Sequence, residues 1–363
     1  MDIMEYTFIN KEHPEYQLFS SPKSWLMQLF NDIKNATHYI YIETFRLNDD
    51  LVGNALGDLL LERAASGIEI RLIVDSWGTR RSALLNKLEK KGISIRYFKQ
   101  LVFSFNFFTK NHERNHRKIV AIDDKIAYIG SANFSKYSLS WRESILRIET
   151  DMAKIFKKIF LDNYKISEKK IKLLKYYKSI NLQDLHIIRE APSIIHQKTR
   201  NYFLKLIKNA KKSIVIVSPY FITGKTLRTK LIHAAKRGVE VTVIIPKHSD
   251  VRSIDLLRDL FLGDLHKHGI NFQMYKSGNL HAKLLLIDNE IFSIGSSNFD
   301  YRSFRHMYEI NLSGKEATIS GLISAFIEET LTDCNKFNKT KWLFRSFFNK
   351  LIGILLYPIR KLT

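Results

Sequence analysis

The sequence predicts an α/β protein made of two similar halves, and three observations predict it. Apolar runs of strand length alternate with helical patterns, as in VGNALGDLLLERAASG before IEIRLIV and KTLRTKLIHAAKRG before VEVTVII. The same segments occur twice in the same order: ATHYIYIETF (36–45) matches AKKSIVIVSPYF (210–221), AASGIEIRLIVD (64–75) matches AAKRGVEVTVIIP (234–246), and KKGISIRYF (90–98) matches HKHGINFQMY (266–275). Gly67, Gly92, Gly238 and Gly269 each follow a helical pattern and precede a strand, where a left-handed helix cap is expected.

Along the chain, the first copy runs helix, strand, helix, strand up to Gly92 and its strand, then carries about 12 residues that the second copy lacks, around LVFSFNFFTKNHERN. Phe103, Phe105, Phe107 and Phe108 in that insertion either dip into lipid or line an acyl-chain channel, the alternative being a hairpin packed on the body. Each copy then closes with a hairpin, HRKIVAIDDKIAYIGSANF (116–134) and HAKLLLIDNEIFSIGSSNF (281–299). The expected organisation is a first half over 1–150, a basic helix and linker over 151–195, a second half over 196–330, and a basic amphipathic C-terminal helix over 336–363.

With 363 residues and 45% hydrophobic composition the chain can bury a large core and divides into two units, so disorder is not the expectation. Fifty-eight Lys plus Arg against 36 Asp plus Glu give a net charge of +22, a field that attracts polyanions: an anionic lipid surface or nucleic acid. The same composition also fits lysines that are merely solvated. One cysteine, Cys334, forms no intramolecular disulfide, which fits a reducing cytosol. The first thirty residues lack the apolar core of a secretory signal, and LIGILLYPI (351–359) is far shorter than the roughly 20 residues of a spanning helix, so a transmembrane protein is not expected.

The hairpins carry the chemistry. In a strand, residues i and i+2 share a face, so His116 with Lys118, and His281 with Lys283, present an imidazole and an ammonium side by side from a rigid support. After turns at Asp123-Asp124 and Asp288-Asn289 the chain returns with Gly130, Ser131 and Asn133, or Gly295, Ser296 and Asn298. The glycines permit close backbone approach, and the serine hydroxyls and asparagine amides suit the oxygens of a phosphate. A single His-x-Lys is usually a surface strand; six residue types at identical spacing in both copies of a repeat is a functional pattern. Asp123 and Asp288 begin turns and read as structural.

These residues resemble the phospholipase D superfamily, whose His-x-Lys-(x)4-Asp-(x)6-Gly-Ser-x-Asn pattern both copies match at every named position. The resemblance covers roughly residues 25 to 315 and implies two α/β/α halves related by a pseudo-two-fold axis, one active site at their interface, and no metal or other cofactor. It implies a phosphohistidine intermediate, with His116 as nucleophile, His281 as acid, and Lys118 and Lys283 clamping phosphoryl oxygens. Symmetry alone leaves the two histidine roles interchangeable. Glu143 and Glu309, 27 and 28 residues after the histidines, are then the carboxylates that orient an imidazole of the opposite half; the bland alternative is a surface ion pair.

Finer stretches, RNHRK (114–118), WRES with LRIE (141–149), SPYF (218–221) and NFDYRSFRHMYEIN (298–311), resemble bacterial cardiolipin synthases and related phosphatidyltransferases. The implied function is transfer of a phosphatidyl group to an alcohol headgroup; hydrolysis of phospholipid to phosphatidic acid and a nuclease or other phosphodiesterase are the alternatives. The segment TKWLFRSFFNKLIGILLYPIRKLT groups Trp342, Phe347 and Phe348 with basic residues and no acid, as an interfacial helix on an anionic bilayer does; a core-packed terminal helix is the alternative. The expectation is a cytoplasmic protein, functional as a monomer and bound peripherally to the inner face of the cell membrane, with phospholipids rather than nucleic acid as partners.

Overall fold

The computed structural model describes residues 15–98, 112–169 and 178–361, and Phe103, Phe105, Phe107 and Phe108 lie outside them. The chain divides into two compact units, Met1–Lys178 and Ser179–Thr363.

In the first unit the strands of the main sheet are β1 (Tyr16–Phe19), β2 (Tyr39–Thr44), β3 (Glu69–Asp75), β4 (Ser94–Phe98), β5 (Ile119–Ile122), β6 (Ile126–Gly130) and β7 (Ile145–Ile148). They form one sheet in the order β1-β7-β6-β5-β2-β3-β4. β2, β3 and β4 run parallel because helices α1 (Pro22–Lys34), α2 (Leu51–Ala65) and α3 (Ala83–Lys90) lead into or connect them; β5, β6 and β7 are antiparallel, joined by short connections. The helices bury Leu29, Leu56, Leu60, Leu85 and Leu88 against Ile40, Ile42, Leu72 and Val74 of the sheet. Each such side chain contributes about 1.5–3 kcal/mol by leaving water. α4 (Met152–Lys169) covers the other face, giving three layers.

The second unit repeats this plan with β8 (Ile180–Leu182), β9 (Leu185–Arg189), β10 (Ser213–Val217), β11 (Glu240–Pro246), β12 (Ile270–Tyr275), β13 (Leu284–Ile287), β14 (Ile291–Gly295), β15 (Ile310–Gly314) and β16 (Cys334–Lys336), ordered β16-β12-β11-β10-β13-β14-β15-β9-β8. α5 (Lys198–Asn209), α6 (Lys225–Lys236) and α7 (Arg252–Lys267) cover one face through Phe203, Leu231 and Leu265. α9 (Ala317–Thr332) lies on β12, β13 and β14, as α4 lies on the first sheet; α8 (Tyr301–Arg305) is a single capped turn. The chain ends in α10 (Lys339–Leu343) and α11 (Phe347–Leu356), the latter packed along α7.

Two halves of α/β/α character are therefore present, as the repeat predicts. Gly67, Gly92, Gly238 and Gly269 have φ of 85°, 89°, 87° and 86°, the left-handed caps expected of them. The stretch 151–195, expected as helix plus linker, is divided between the units: α4 belongs to the first, while β8 and β9 extend the sheet of the second, β9 pairing with β15. Strands of three and five residues are too short for apolar periodicity to mark them as strands in sequence.

Candidate active site

Each hairpin turns on two residues with positive φ, Asp123 and Asp124 (53° and 55°), or Asp288 and Asn289 (55° and 57°), the two-residue geometry whose twist matches paired strands. The leading aspartate is an anchor. Asp123 accepts hydrogen bonds from the backbone N–H groups of Thr37, His38 (2.8 Å) and Tyr39 (2.9 Å), and Asp288 from those of Lys211, Lys212 and Ser213 (2.9 Å). Burial opposes charge on both, but these donors outweigh it and hold each carboxyl below its ordinary value. The hairpin is thereby pinned to the start of the neighbouring parallel strand.

The sequence suggests that the histidine and lysine lie within the strand, and here the structure differs. The ladder begins one residue later, with Glu43 opposite Ile119 and Val217 opposite Leu284, so His-x-Lys is an extended lead-in at the sheet's end. All four side chains are buried. Each lysine turns back: Lys118 Nζ donates to the His116 carbonyl at 2.7 Å, and Lys283 Nζ to the His281 carbonyl at 2.6 Å. The ammonium is thus held beside the histidine of its own copy. In the first copy the Phe45 ring lies 5.4 Å from the His116 ring, edge to face, and 5.6 Å from Lys118 Nζ.

On the returning strand, Gly130 and Gly295 are required sterically: a Cβ would lie 2.3 Å from the Ser144 carbonyl oxygen in one copy and 2.2 Å from that of Ile310 in the other. The serines that follow are placed differently from the phosphate contacts expected of them. Ser131 Oγ donates to Glu143, and Ser296 Oγ to Glu309; each hydroxyl also accepts a backbone N–H, from Ser144 (2.8 Å) or Ile310 (3.0 Å). A hydroxyl has one proton, and here it goes to the carboxylate. The serines therefore fix Glu143 and Glu309, both fully buried. The amide oxygens of Asn133 and Asn298 are buried without a hydrogen-bond partner among the described residues.

Several residues of the site escape sequence reasoning. In the first unit Glu43 accepts Asn115 Nδ2 (2.8 Å), Asn163 Nδ2 (2.8 Å) and Arg117 (3.4 Å), while Asp75 accepts the Asn115 N–H (2.8 Å), so the lead-in to His116 is held by buried acids. Burial pushes the Asp75 carboxyl up, against the pull of Arg114. The second copy has Val217 in register where the first has Glu43, and Ala282 where it has Arg117. Their co-occurrence is the signal available in the sequence: an arginine between His and Lys needs an acid at the end of the adjacent strand.

In the second unit, Asp300 caps α8 by accepting the Ser303 N–H at 2.7 Å, and it takes a hydrogen bond from the Asn298 amide. Burial pushes its carboxyl up to about 6; the Ser303 donor opposes this and the charge of Glu309 adds to it. Glu190, whose N–H donates to the Glu309 carbonyl at 3.0 Å, caps the start of α5 through the Thr199 N–H and is pushed up to about 7, chiefly by burial.

At the C-terminus Phe347 and Phe348 are 71% and 72% exposed, on a helix that also exposes Leu355. Trp342 differs from them. Its indole N–H donates to the Asp259 carbonyl at 2.7 Å and its ring fills the space over Gly263, tying the tail to α7. Among the described residues no helix is long and apolar enough to cross a membrane.

Comparison with known proteins follows the same division of the chain. The chain is 30% identical over 307 residues to the cardiolipin synthase of Oceanobacillus iheyensis, covering 81% of this chain and 64% of that protein. It is 30% identical over 333 residues to the cardiolipin synthase of Listeria welshimeri, covering 87% and 69%. Among solved structures, the phosphatidylserine synthase of Haemophilus influenzae Rd KW20 superposes with a TM-score of 0.79 over 96% of this chain and 95% of that one; at 12% identity this is a likeness of fold. The family model described as cardiolipin synthase, PLD-like domain, matches residues 29–163 and 203–331, one segment in each half, and on that evidence the chain belongs to this family.

Proposed function

We propose that this chain is a phosphatidyltransferase of phospholipid metabolism that acts in the manner of a cardiolipin synthase, using one imidazole from each half on a single phosphorus. The observation that carries the reading is the duplicated constellation: a buried histidine, a lysine folded back onto its carbonyl, and a serine-held glutamate, built alike in both units. A phosphodiester is anionic and poorly electrophilic, so its oxygens must be neutralised, a nucleophile supplied and the leaving alkoxide protonated.

Neutral His116 attacks phosphorus, forming the N–P bond as the P–O bond to the headgroup alcohol breaks. His281 enters as imidazolium and gives that alkoxide its proton. The now neutral His281 takes the proton of an acceptor hydroxyl, which attacks phosphorus, breaks the N–P bond and frees His116. Lys118 and Lys283 neutralise the non-bridging oxygens throughout, and Asn133 and Asn298 add neutral hydrogen bonds. Glu143 and Glu309 supply the acceptor that a working imidazole needs on its second nitrogen. The protein works as a monomer bound peripherally to the inner face of the cell membrane; its net charge of +22 and the exposed apolar α11 support that placement.

Purified protein incubated with labelled phosphatidylglycerol is expected to yield cardiolipin and glycerol in equal amounts. Phosphatidic acid without cardiolipin would make it a hydrolase. The net charge also suits nucleic acid, and cleavage of single-stranded DNA with no action on lipid would overturn the assignment. An acid-labile phospho-adduct is expected on His116 by mass spectrometry; an adduct confined to His281 reverses the two histidine roles.

A further inference from the structure

A small cavity in the second unit takes no part in the chemistry above. It encloses about 100 Å³, well above what one water needs, and is framed by Gln197, Arg200, Gly224, Lys225, Tyr301 and Arg305. Arg200 is half-buried, and the charge of Arg305 acts on it repulsively. Burial first, and that repulsion second, disfavour its charged form. Among the described residues no carboxylate forms an ion pair with either arginine. Arg305 is steadied by the Tyr301 ring, 5.0 Å from its guanidinium carbon. α6 begins at the same place, on Gly224, with no side chain capping it, so its positive end adds to the field of the cavity. Two half-buried guanidinium groups that line one small cavity, neither ion-paired to a carboxylate among the described residues, suit an anionic group.

The surroundings indicate which anion. Tyr301 lines the cavity and also packs on the small cluster of Ile222, Ile254 and Leu257, and Leu356 of α11 packs on that same cluster. The turn Tyr357–Lys361 lies against α8. The end of α11 therefore lies near the cavity, the same helix exposes Phe347, Phe348 and Leu355, and from residue 337 to 363 the chain has basic residues and no acid. Apolar surface beside a basic cavity matches an amphiphile with a phosphate at one end.

We propose that this cavity is a second, non-reacting phosphate subsite, in which Arg200 and Arg305 hold the headgroup phosphate of an anionic phospholipid whose acyl chains lie along α11. It rests on the phospholipid reading, but it is tested by binding and not by turnover.

The test uses the full chain carrying His281→Gln, so that no turnover intervenes, with and without Arg200→Gln and Arg305→Gln. Binding is measured to vesicles of phosphatidylcholine alone and of phosphatidylcholine with about 30 mol% phosphatidylglycerol. Loss of both arginines is expected to weaken binding to the anionic vesicles by about ten- to thirtyfold, since each basic side chain near such a surface is worth about fivefold. Binding to phosphatidylcholine should stay unchanged. The control pair Lys208→Gln and Lys211→Gln, exposed on the same unit, removes equal charge and should lose under threefold. Equal loss in both pairs, or none in either, overturns the subsite. A second arm follows thermal unfolding with inorganic phosphate and with soluble glycerophosphoglycerol. Protection by inorganic phosphate that needs both arginines, with vesicle binding unaffected by them, makes the ligand a free phosphate and overturns the lipid assignment. Failure of transfer itself shows separately, as absent cardiolipin in the unsubstituted protein.

Discussion

At the scale of single residues, the two motif serines carry a prediction that separates positioning from substrate binding. Ser131 and Ser296 donate to Glu143 and Glu309, and a hydrogen bond to a buried carboxylate is worth about 1.5–3 kcal/mol. Ser131→Ala or Ser296→Ala should therefore lower kcat by about ten- to a hundredfold with KM nearly unchanged. A rise in KM at constant kcat would return the serines to the phosphate. Asp300 carries a prediction of a different kind. Its folded carboxyl titrates at about 6 against an ordinary 3.8, so between these values the unfolded chain has released a proton that the folded chain still holds. Stability falls as pH rises through this window, and the full penalty is present above pH 6. Asp300→Asn keeps the helix cap and removes the penalty. Urea unfolding should show the variant gaining about 2–3 kcal/mol relative to the parent on going from about pH 4 to pH 7.5; a difference independent of pH would show that Asp300 is not held protonated.

At the scale of elements, the hairpins test how the lead-in to each histidine is held. Arg117 and Glu43 are both fully buried, and removing one member of a buried pair leaves the other uncompensated. Arg117→Ala should cost about 3–5 kcal/mol in a denaturant titration. The second half has Val217 and Ala282 at these positions and needs no such pair; adding Glu43→Gln to Arg117→Ala removes the stranded charge, keeps an acceptor for Asn115 and Asn163, and should recover part of the loss. Additive losses in the double variant would show that the pair is not the unit holding the strand. This difference also marks what the sequence makes legible. The turn at Asp123-Asp124, the glycine caps and the alternation of helix and strand rest on local rules, and they are readable from short stretches. The partner of Arg117 lies 74 positions away, and Asp300 differs from its first-half counterpart Ser135 although both are ordinary helix caps. Burial, which gives these residues their chemistry, comes from packing that no local pattern records. The inward turn of Trp342 is hidden for the same reason.

At the scale of the whole molecule, the proposed membrane binding has two contributions, the charge of +22 and the apolar tail, and they separate by salt. Lysines and arginines attract an anionic surface within a screening length of about 10 Å at 0.1 M salt, so that part of vesicle binding weakens steeply as salt rises. Burial of Phe347, Phe348 and Leu355 in the acyl region is insensitive to screening, and each side chain contributes up to about 2 kcal/mol if fully inserted. Deleting the tail would confuse the two, because Trp342 packs over Gly263 and its loss uncovers α7. The cleaner variant is Phe347→Ser with Phe348→Ser and Leu355→Ser, which changes only exposed positions and should leave the midpoint of thermal unfolding within about 2 °C. At high salt, where the charges no longer contribute, this variant should bind vesicles at least tenfold more weakly than the parent. Parent and variant that lose binding alike across the salt series would show a membrane held by charge alone, with α11 packed for stability and not for contact.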